Sequence, residues 1–202
     1  IALAVAPKKT DVVFDACAGA GGKTLALASM GASKLVALDP EQGKLNELTR
    51  RADKAGVRLS VEKGKLDALK ERHYDRYDVV LVDAPCTGSG TLRRAPDLAA
   101  RLEPADEQRY VDLQHRLIMG AVQAVKPGGR IVYATCSVLP AENEDLSAYV
   151  ASAAPELQPV PLAESWGLEL SRRLGATPEA RIGPGPGSGP AGFYMAQWRH
   201  RG

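Results

Sequence analysis

Short apolar runs alternate with stretches in which apolar residues recur every three or four positions, a pattern that predicts β-strands joined by amphipathic helices in a mostly parallel sheet. The predicted strands are Val12 to Cys17, Lys34 to Leu38, Val57 to Val61, Tyr77 to Val82, Arg130 to Cys136 and Gly192 to Trp198. The first helix is expected from about Lys23 to Met30. Asp39-Pro40 opens a second, whose Leu45, Leu48 and Ala52 are spaced for one buried face and which ends near Gly56. A long helix from about Ala105 to Val125 stops at Lys126-Pro127-Gly128-Gly129, and another runs from Glu142 to Ala153. Gly183 to Pro190 is a loop by composition, of the kind that forms a mobile tip. No internal repeat and no second core is visible.

With 202 residues and 45% hydrophobic content, one domain covering residues 1–202 can bury a full core. The formal net charge of +2 neither demands nor excludes a nucleic-acid partner. The chain opens on Ile1-Ala2-Leu3-Ala4-Val5-Ala6, which reads as the cut end of a helix and suggests a fragment of a longer protein. Three cysteines without a signal-peptide or transmembrane pattern point to a reducing, cytoplasmic setting and no membrane. No CxxC or Cys/His cluster suggests a metal. The lone His73 and His115 sit in polar surroundings and His200 in the tail, and Lys8-Lys9, Arg50-Arg51 and Arg172-Arg173 read as solvated surface.

Candidate chemistry begins with the placement of the cysteines. Cys17, Cys86 and Cys136 each end an apolar run, and in an open parallel sheet the carboxyl ends of the strands form the ligand crevice. The blander alternative is that each is a small buried hydrophobe. The turn Ala18-Gly19-Ala20-Gly21-Gly22-Lys23-Thr24 is neither a Walker A loop, since Cys17 stands where its first glycine belongs, nor a dinucleotide fingerprint, since Thr24 replaces the third glycine. A glycine turn after one strand and Asp39 at the end of the next suit an adenosyl cofactor without a pyrophosphate, the acid reaching ribose hydroxyls.

Three segments carry a more specific signal. Asp15-Ala16-Cys17-Ala18-Gly19-Ala20-Gly21-Gly22-Lys23-Thr24, Asp83-Ala84-Pro85-Cys86-Thr87-Gly88-Ser89-Gly90, and Tyr133-Ala134-Thr135-Cys136-Ser137-Val138-Leu139-Pro140 with Glu142-Asn143 resemble, in order and spacing, the RNA (cytosine-5) methyltransferase family of the Sun/Fmu type. The resemblance runs from Asp11 to about Val150 and resumes at Gly192-Phe193-Tyr194. It implies the class I S-adenosylmethionine methyltransferase (Rossmann-like) fold, a mostly parallel seven-stranded sheet with an antiparallel last strand. It also implies methylation of carbon 5 of cytosine in RNA, ribosomal RNA ahead of transfer RNA. A monomer is the expected state, although no sequence feature specifies it.

By this resemblance Cys136 is the nucleophile that adds to carbon 6, Cys86 serves the release step, and Asp83 holds the cytosine edge between cofactor and base. Cys17, Ala18, Gly19, Ala20, Gly21, Gly22 and Lys23 would wrap S-adenosylmethionine, with Asp39 on its ribose and Asp83 alongside. Two departures stand out. Lys65 occupies the place of a family acid that approaches the adenine, leaving Asp67 as the nearest substitute, and Ala20 replaces a common proline. The polar segment Thr87 to Pro104 carries Arg93, Arg94 and Arg101; Arg93 and Arg94 are the candidate phosphate contacts at the RNA cleft, the alternative being a solvated surface loop whose arginines pair with Asp97 or Glu103. Two other functions remain open: a non-catalytic descendant that binds RNA or assists ribosome assembly, and a DNA cytosine-5 methyltransferase, which would have no reason to carry Thr-Cys-Ser. An N-terminal RNA-binding region, common in the family, is not visible.

Overall fold

The structure is a computed structural model that describes residues 1–174, 179–183 and 192–202. In chain order the elements are α1 (Ala2–Val5), β1 (Val12–Asp15), α2 (Gly22–Ser29), β2 (Lys34–Asp39), α3 (Gln42–Ala55), β3 (Ser60–Lys63) and β4 (Tyr77–Asp83). Then come α4 (Asp97–Arg101), α5 (Pro104–Ala124), β5 (Val125–Thr135), α6 (Glu144–Ala153), β6 (Leu157–Pro159), α7 (Ala163–Trp166), α8 (Leu168–Leu174), β7 (Glu179–Ile182) and β8 (Phe193–His200).

The strands form one sheet in the order β3-β2-β1-β4-β5-β8-β6, with β7 sharing the outer edge of β8. β1 to β5 are parallel and β8 runs antiparallel to β5, as expected of the closing strand. The sheet is therefore seven positions wide, and β7 is an eighth strand that the hydrophobic pattern does not announce. Pro184 to Pro190 of the expected loop lie outside the described residues.

Strand alternation feeds a separate apolar layer on each face. Val80, Val82, Ile131 and Tyr133 pack with Leu117, Ile118 and Ala121 of α5 and with Leu146 and Val150 of α6. Val79, Leu81, Val132 and Ala134 face the other way, toward Leu27 of α2 and Ala4 and Val5 of α1. Burying each Leu or Ile side chain in this way stabilises the fold by about 1.5–3 kcal/mol. The predicted face of α3 is buried through Leu45, Leu48 and Ala52, and Gly56 caps it with φ 65°, a conformation glycine adopts without strain.

The third strand starts three residues later than the apolar run suggested, because Val57 caps the end of α3 by donating to the Ala52 carbonyl. At Lys126–Gly129 the register of β5 slips: Val125 pairs with Tyr77 and Arg130 with Val79, so the Lys-Pro-Gly-Gly segment loops out opposite Asp78. His73 has polar partners, its Nε2 lying 3.2 Å from Glu62 Oε2, but it is not a solvated side chain. It is buried, stacked on Phe14 at 5.8 Å, with Nδ1 2.7 Å from the Tyr77 hydroxyl. The 3₁₀ turn Glu71–His73 points this one side chain inward while its neighbours stay polar, which hid it from a reading by composition.

Candidate active site

The chain fills the sheet from β1 out to β3, then crosses back to place β4 on the other side of β1. That reversal opens a crevice above the carboxyl ends of β1 and β4, the ordinary ligand position in such sheets. A cleft of about 590 Å³ lies there, extending from Asp39 and Glu41 past Leu66 and Asp67 to Asp83, Cys86 and Cys136.

One end of the cleft is built by the glycine turn. Gly19 and Gly21 take φ values of 53° and 83°, and a Cβ on Gly21 would stand 2.1 Å from Leu48 Cδ1, so α3 packs directly on the turn. Asp39 receives the Gly19 amide on Oδ2 and the Glu41 amide on Oδ1, both at 2.9 Å, and so ties the turn to the end of β2. Arg51 donates through Nη1 to the Ala20 carbonyl at 2.7 Å; it braces the turn and is not the solvated surface residue expected. Below, buried Asp15 accepts the Thr24 hydroxyl at 2.6 Å. Burial pushes its carboxyl up to about 6.

Cys17 and Gly19 line the cleft, whereas Lys23 does not; its ammonium sits 2.5 Å from Asp83 Oδ2. Of the other residues in the turn, Ala18 is buried on Leu45 and Leu48, and Gly22 starts α2. Burial raises the Cys17 thiol well above its ordinary range, with Asp15, Asp83 and Asp39 adding to the effect. Its sulfur serves as packing and cleft wall, which is the bland reading for this cysteine. Lys65 and Asp67 both line the cleft, and Arg116 of α5 holds Asp67 with Nε 3.3 Å from Oδ2.

The other end holds the thiol pair. Asp83 on β4 is in register with Ala134 on β5, and the Ala84 amide extends this ladder to the Ala134 carbonyl at 2.9 Å. Cys86 and Cys136 follow three and two residues later, and their sulfurs lie 3.4 Å apart. Both are half-buried. The hydrogen bond from Cys86 lowers Cys136 to about 7, against the effect of burial and with the Lys23 ammonium assisting. The same bond, together with burial, holds Cys86 protonated well above the usual thiol range. A free cysteine titrates near 8.5. Alkylation of Cys136 is therefore expected to rise with pH to a half-maximum near 7, and in Cys86→Ala that midpoint should move toward about 8.5. Iodoacetamide labelling read by peptide mass spectrometry across pH checks this, and an unmoved midpoint would contradict the shared-proton arrangement.

The Cys86 loop is held from α5 and from the 3₁₀ turn Pro140–Glu142, and the Cys136 loop from Asn143 at the N-cap of α6. Glu142 takes the Thr87 amide at 2.9 Å and its hydroxyl at 2.6 Å. Gln114 donates to Glu142 and to the Pro85 carbonyl, each at 2.9 Å. Next to it, Asn143 accepts the Thr135 hydroxyl at 2.7 Å and donates to the Ser137 carbonyl at 3.1 Å. The motif quoted above contained Glu142-Asn143 without assigning them roles, and Gln114 was missed altogether: one amide on a long helix carries no sequence signal. Buried Tyr133 donates to the Glu142 carbonyl at 2.9 Å.

Gly90 interlocks the two loops. Its amide donates to the Cys136 carbonyl at 2.9 Å, and its carbonyl accepts the Gly192 amide at 2.8 Å. A Cβ here would meet Gly192 O at 2.4 Å and Cys136 O at 2.9 Å, both backbone atoms that no rotamer change moves. Gly90→Ala is expected to cost about 1–3 kcal/mol by overpacking and to displace Cys136. Urea unfolding and Cys136 alkylation would each register the change.

Arg93 and Arg94 are exposed between the Ser89–Thr91 turn and α4, outside the cleft lining. α4 still reaches the site, since a Cβ on Gly88 would be 3.1 Å from Leu98 Cδ2 and 4.0 Å from Cys136 Sγ. Arg101 is engaged with Asp97 at 2.7 Å. Among the described residues no cluster suited to a metal ion occurs, and no helix is long and apolar enough to cross a membrane.

The chain is 35% identical over 192 residues to ribosomal RNA small subunit methyltransferase B of Thermus thermophilus, covering 93% of this chain and 44% of that protein. To the enzyme of the same name from Shewanella oneidensis it is 34% identical over 155 residues, covering 74% and 36% respectively. It thus spans less than half the length of these relatives. A methyltransferase homolog protein from Pyrococcus horikoshii superposes with a TM-score of 0.76 at 29% identity, covering 98% of this chain and 64% of that one. The model of the 16S rRNA methyltransferase RsmB/F family matches residues 2–199, and with almost the whole sequence inside that match the chain belongs to this family.

Proposed function

We propose that residues 1–202 form the catalytic domain of an S-adenosylmethionine-dependent RNA (cytosine-5) methyltransferase. The domain acts on carbon 5 of a cytosine in ribosomal RNA through a covalent adduct on Cys136. The observation that carries this reading is the thiol pair, with sulfurs 3.4 Å apart, at one end of a cleft of about 590 Å³. That volume falls within the range of about 300–1,000 Å³ usual for small-molecule sites. Two thiols that need to stay reduced suit a cytoplasmic setting.

The residues fit the cofactor. Each Asp39 oxygen accepts one backbone amide and keeps lone pairs for a ribose hydroxyl. Gly19 leaves open space where a Cβ would stand. Leu66 and Leu117 supply apolar wall, and Asp67, held by Arg116, is the acid available to the adenine amino group in place of Lys65. When bound, S-adenosylmethionine supplies an electrophilic methyl group to carbon 5 and leaves as a neutral thioether.

This chain's own residues perform the remaining steps. The Cys136 thiolate forms a bond from Sγ to carbon 6, and the displaced ring electron pair makes carbon 5 nucleophilic. Asp83, fixed by the Lys23 ammonium, presents its carboxylate to the amino edge of the base. Once Cys136 is a thioether, it no longer holds the Cys86 proton through a thiolate hydrogen bond, the largest cause of the raised Cys86 pKa. Cys86 then loses its proton to water and takes the carbon 5 proton as a base. The carbon 5 bonding pair restores the ring double bond, and the bond from carbon 6 to sulfur breaks, returning Cys136 as thiolate.

Incubating the full chain with methyl-labelled S-adenosylmethionine and unmodified ribosomal RNA should yield labelled 5-methylcytidine by nucleoside mass spectrometry. Label on another nucleoside, or on none, would refute the reading. Arg93 and Arg94 are assigned to phosphates at the cleft rim. At fixed salt Arg93→Ala/Arg94→Ala should weaken RNA binding about fivefold or more and flatten the salt dependence by about one to two charges. A change of less than about twofold removes them from the interface.

A further inference from the structure

The buried carboxylate of Glu142 is fully enclosed, and no ion pair to it occurs among the described residues. Enclosing an unpaired carboxylate costs several kcal/mol unless hydrogen bonds compensate, and an apolar side chain would serve packing better. Here the compensation is directed at a single turn. Glu142 grips Thr87 at both amide and hydroxyl, and the Gln114 amide donates one hydrogen to Glu142 and the other to the Pro85 carbonyl. Both neighbours of Cys86 are thus anchored, Pro85 to α5 and Thr87 to the 3₁₀ turn Pro140–Glu142 that precedes α6. Cys136 is moored chiefly through Asn143 and Gly90, and its turn touches the other where the Thr87 hydroxyl lies 3.3 Å from Ser137 Oγ.

We propose that Gln114 and Glu142 are positioning residues for Cys86, holding the Pro85-Cys86-Thr87 turn so that this thiol faces the adduct carried by Cys136 and can complete release. The inference rests on the methyltransferase reading above. Because the Gln114 amide bonds only Pro85 and Glu142 and makes no bond to the Cys136 turn, losing it should spare formation of the adduct and slow its resolution. A general structural role predicts instead that both steps decline together.

The test compares the full chain with Gln114→Leu, Thr87→Val, Glu142→Gln and Cys86→Ala at about pH 9, where thiolate is abundant in every variant. Methyl transfer in the first turnover, steady-state turnover and the fraction of RNA in a denaturant-stable protein adduct are read from the same samples. Gln114→Leu should keep the first turnover within about threefold while turnover falls, and adduct rises, about tenfold, the effect of about 1.4 kcal/mol. Thr87→Val also removes the hydroxyl that meets Ser137 Oγ at 3.3 Å, so it should slow resolution by about threefold and the first turnover by less. Glu142→Gln keeps an acceptor for Thr87 N and Gln114 and can donate to the Thr87 hydroxyl, so it should stay within about threefold of the parent in all three readouts.

If Cys86→Ala accumulates adduct while Gln114→Leu and Thr87→Val do not, or if their first turnover falls in step with turnover, the positioning role is wrong and the reaction stands. If Cys86→Ala itself accumulates none, the covalent reading fails and takes this inference with it.

Discussion

Cys136→Ala is expected to abolish 5-methylcytidine formation, lowering it by about 10⁴-fold or more, as removal of a covalent nucleophile does elsewhere. Carbon 5 of cytosine is too weak a nucleophile to take a methyl group until carbon 6 has been saturated, so no neighbouring group substitutes for the lost sulfur. Cys86, 3.4 Å away, is held protonated and sits on a different loop. Cys86→Ala has a different expected outcome: it should transfer methyl once and then remain joined to RNA, because the carbon 5 proton has lost its acceptor. Denaturing electrophoresis with labelled RNA separates the two cases. Adduct in Cys136→Ala and none in Cys86→Ala would reverse the assignment of the two thiols.

Asp39→Ala should weaken S-adenosylmethionine binding by about 10²–10⁴-fold, since hydrogen bonds to a charged group contribute about 1.5–3 kcal/mol each and two are at stake. The carboxylate has a second task that raises the cost. It holds the Gly19 and Glu41 amides, and without it the glycine turn loses its tie to β2 and two buried or half-buried donors lose their acceptor. Asp39→Asn keeps one acceptor oxygen and should lose about tenfold. Calorimetric titration with the cofactor measures both variants, and a dissociation constant unchanged in Asp39→Ala would move the ribose contact away from this residue. Unfolding followed with and without cofactor separates the two tasks, because a turn that has merely loosened lowers stability in both conditions.

The sequence by itself determined the strands, the direction of the sheet and the chemistry-bearing motifs. Long apolar runs such as Tyr77 to Val82 have few other places to bury themselves, and a face such as Leu45, Leu48 and Ala52 states its own period. Short strands escaped this reading: β6 and β7 exist only as partners of β8 and bring little apolar pattern of their own. The cysteines at the strand ends were visible because residues next to one another in the chain were enough to place them. Their distance apart was not, since it depends on the β4–β5 register that joins residues some fifty positions apart. The same holds for Lys23 meeting Asp83 at the thiol end of the cleft, for Arg51 bracing the Ala20 carbonyl, for His73 entering the core, and for Gln114 and Glu142 closing on the Cys86 turn. Each of these depends on a partner distant in sequence, and periodicity and motif spacing report only on near neighbours. Local preference therefore set which groups reach the edge of the sheet, and packing between distant segments decided which of them meet.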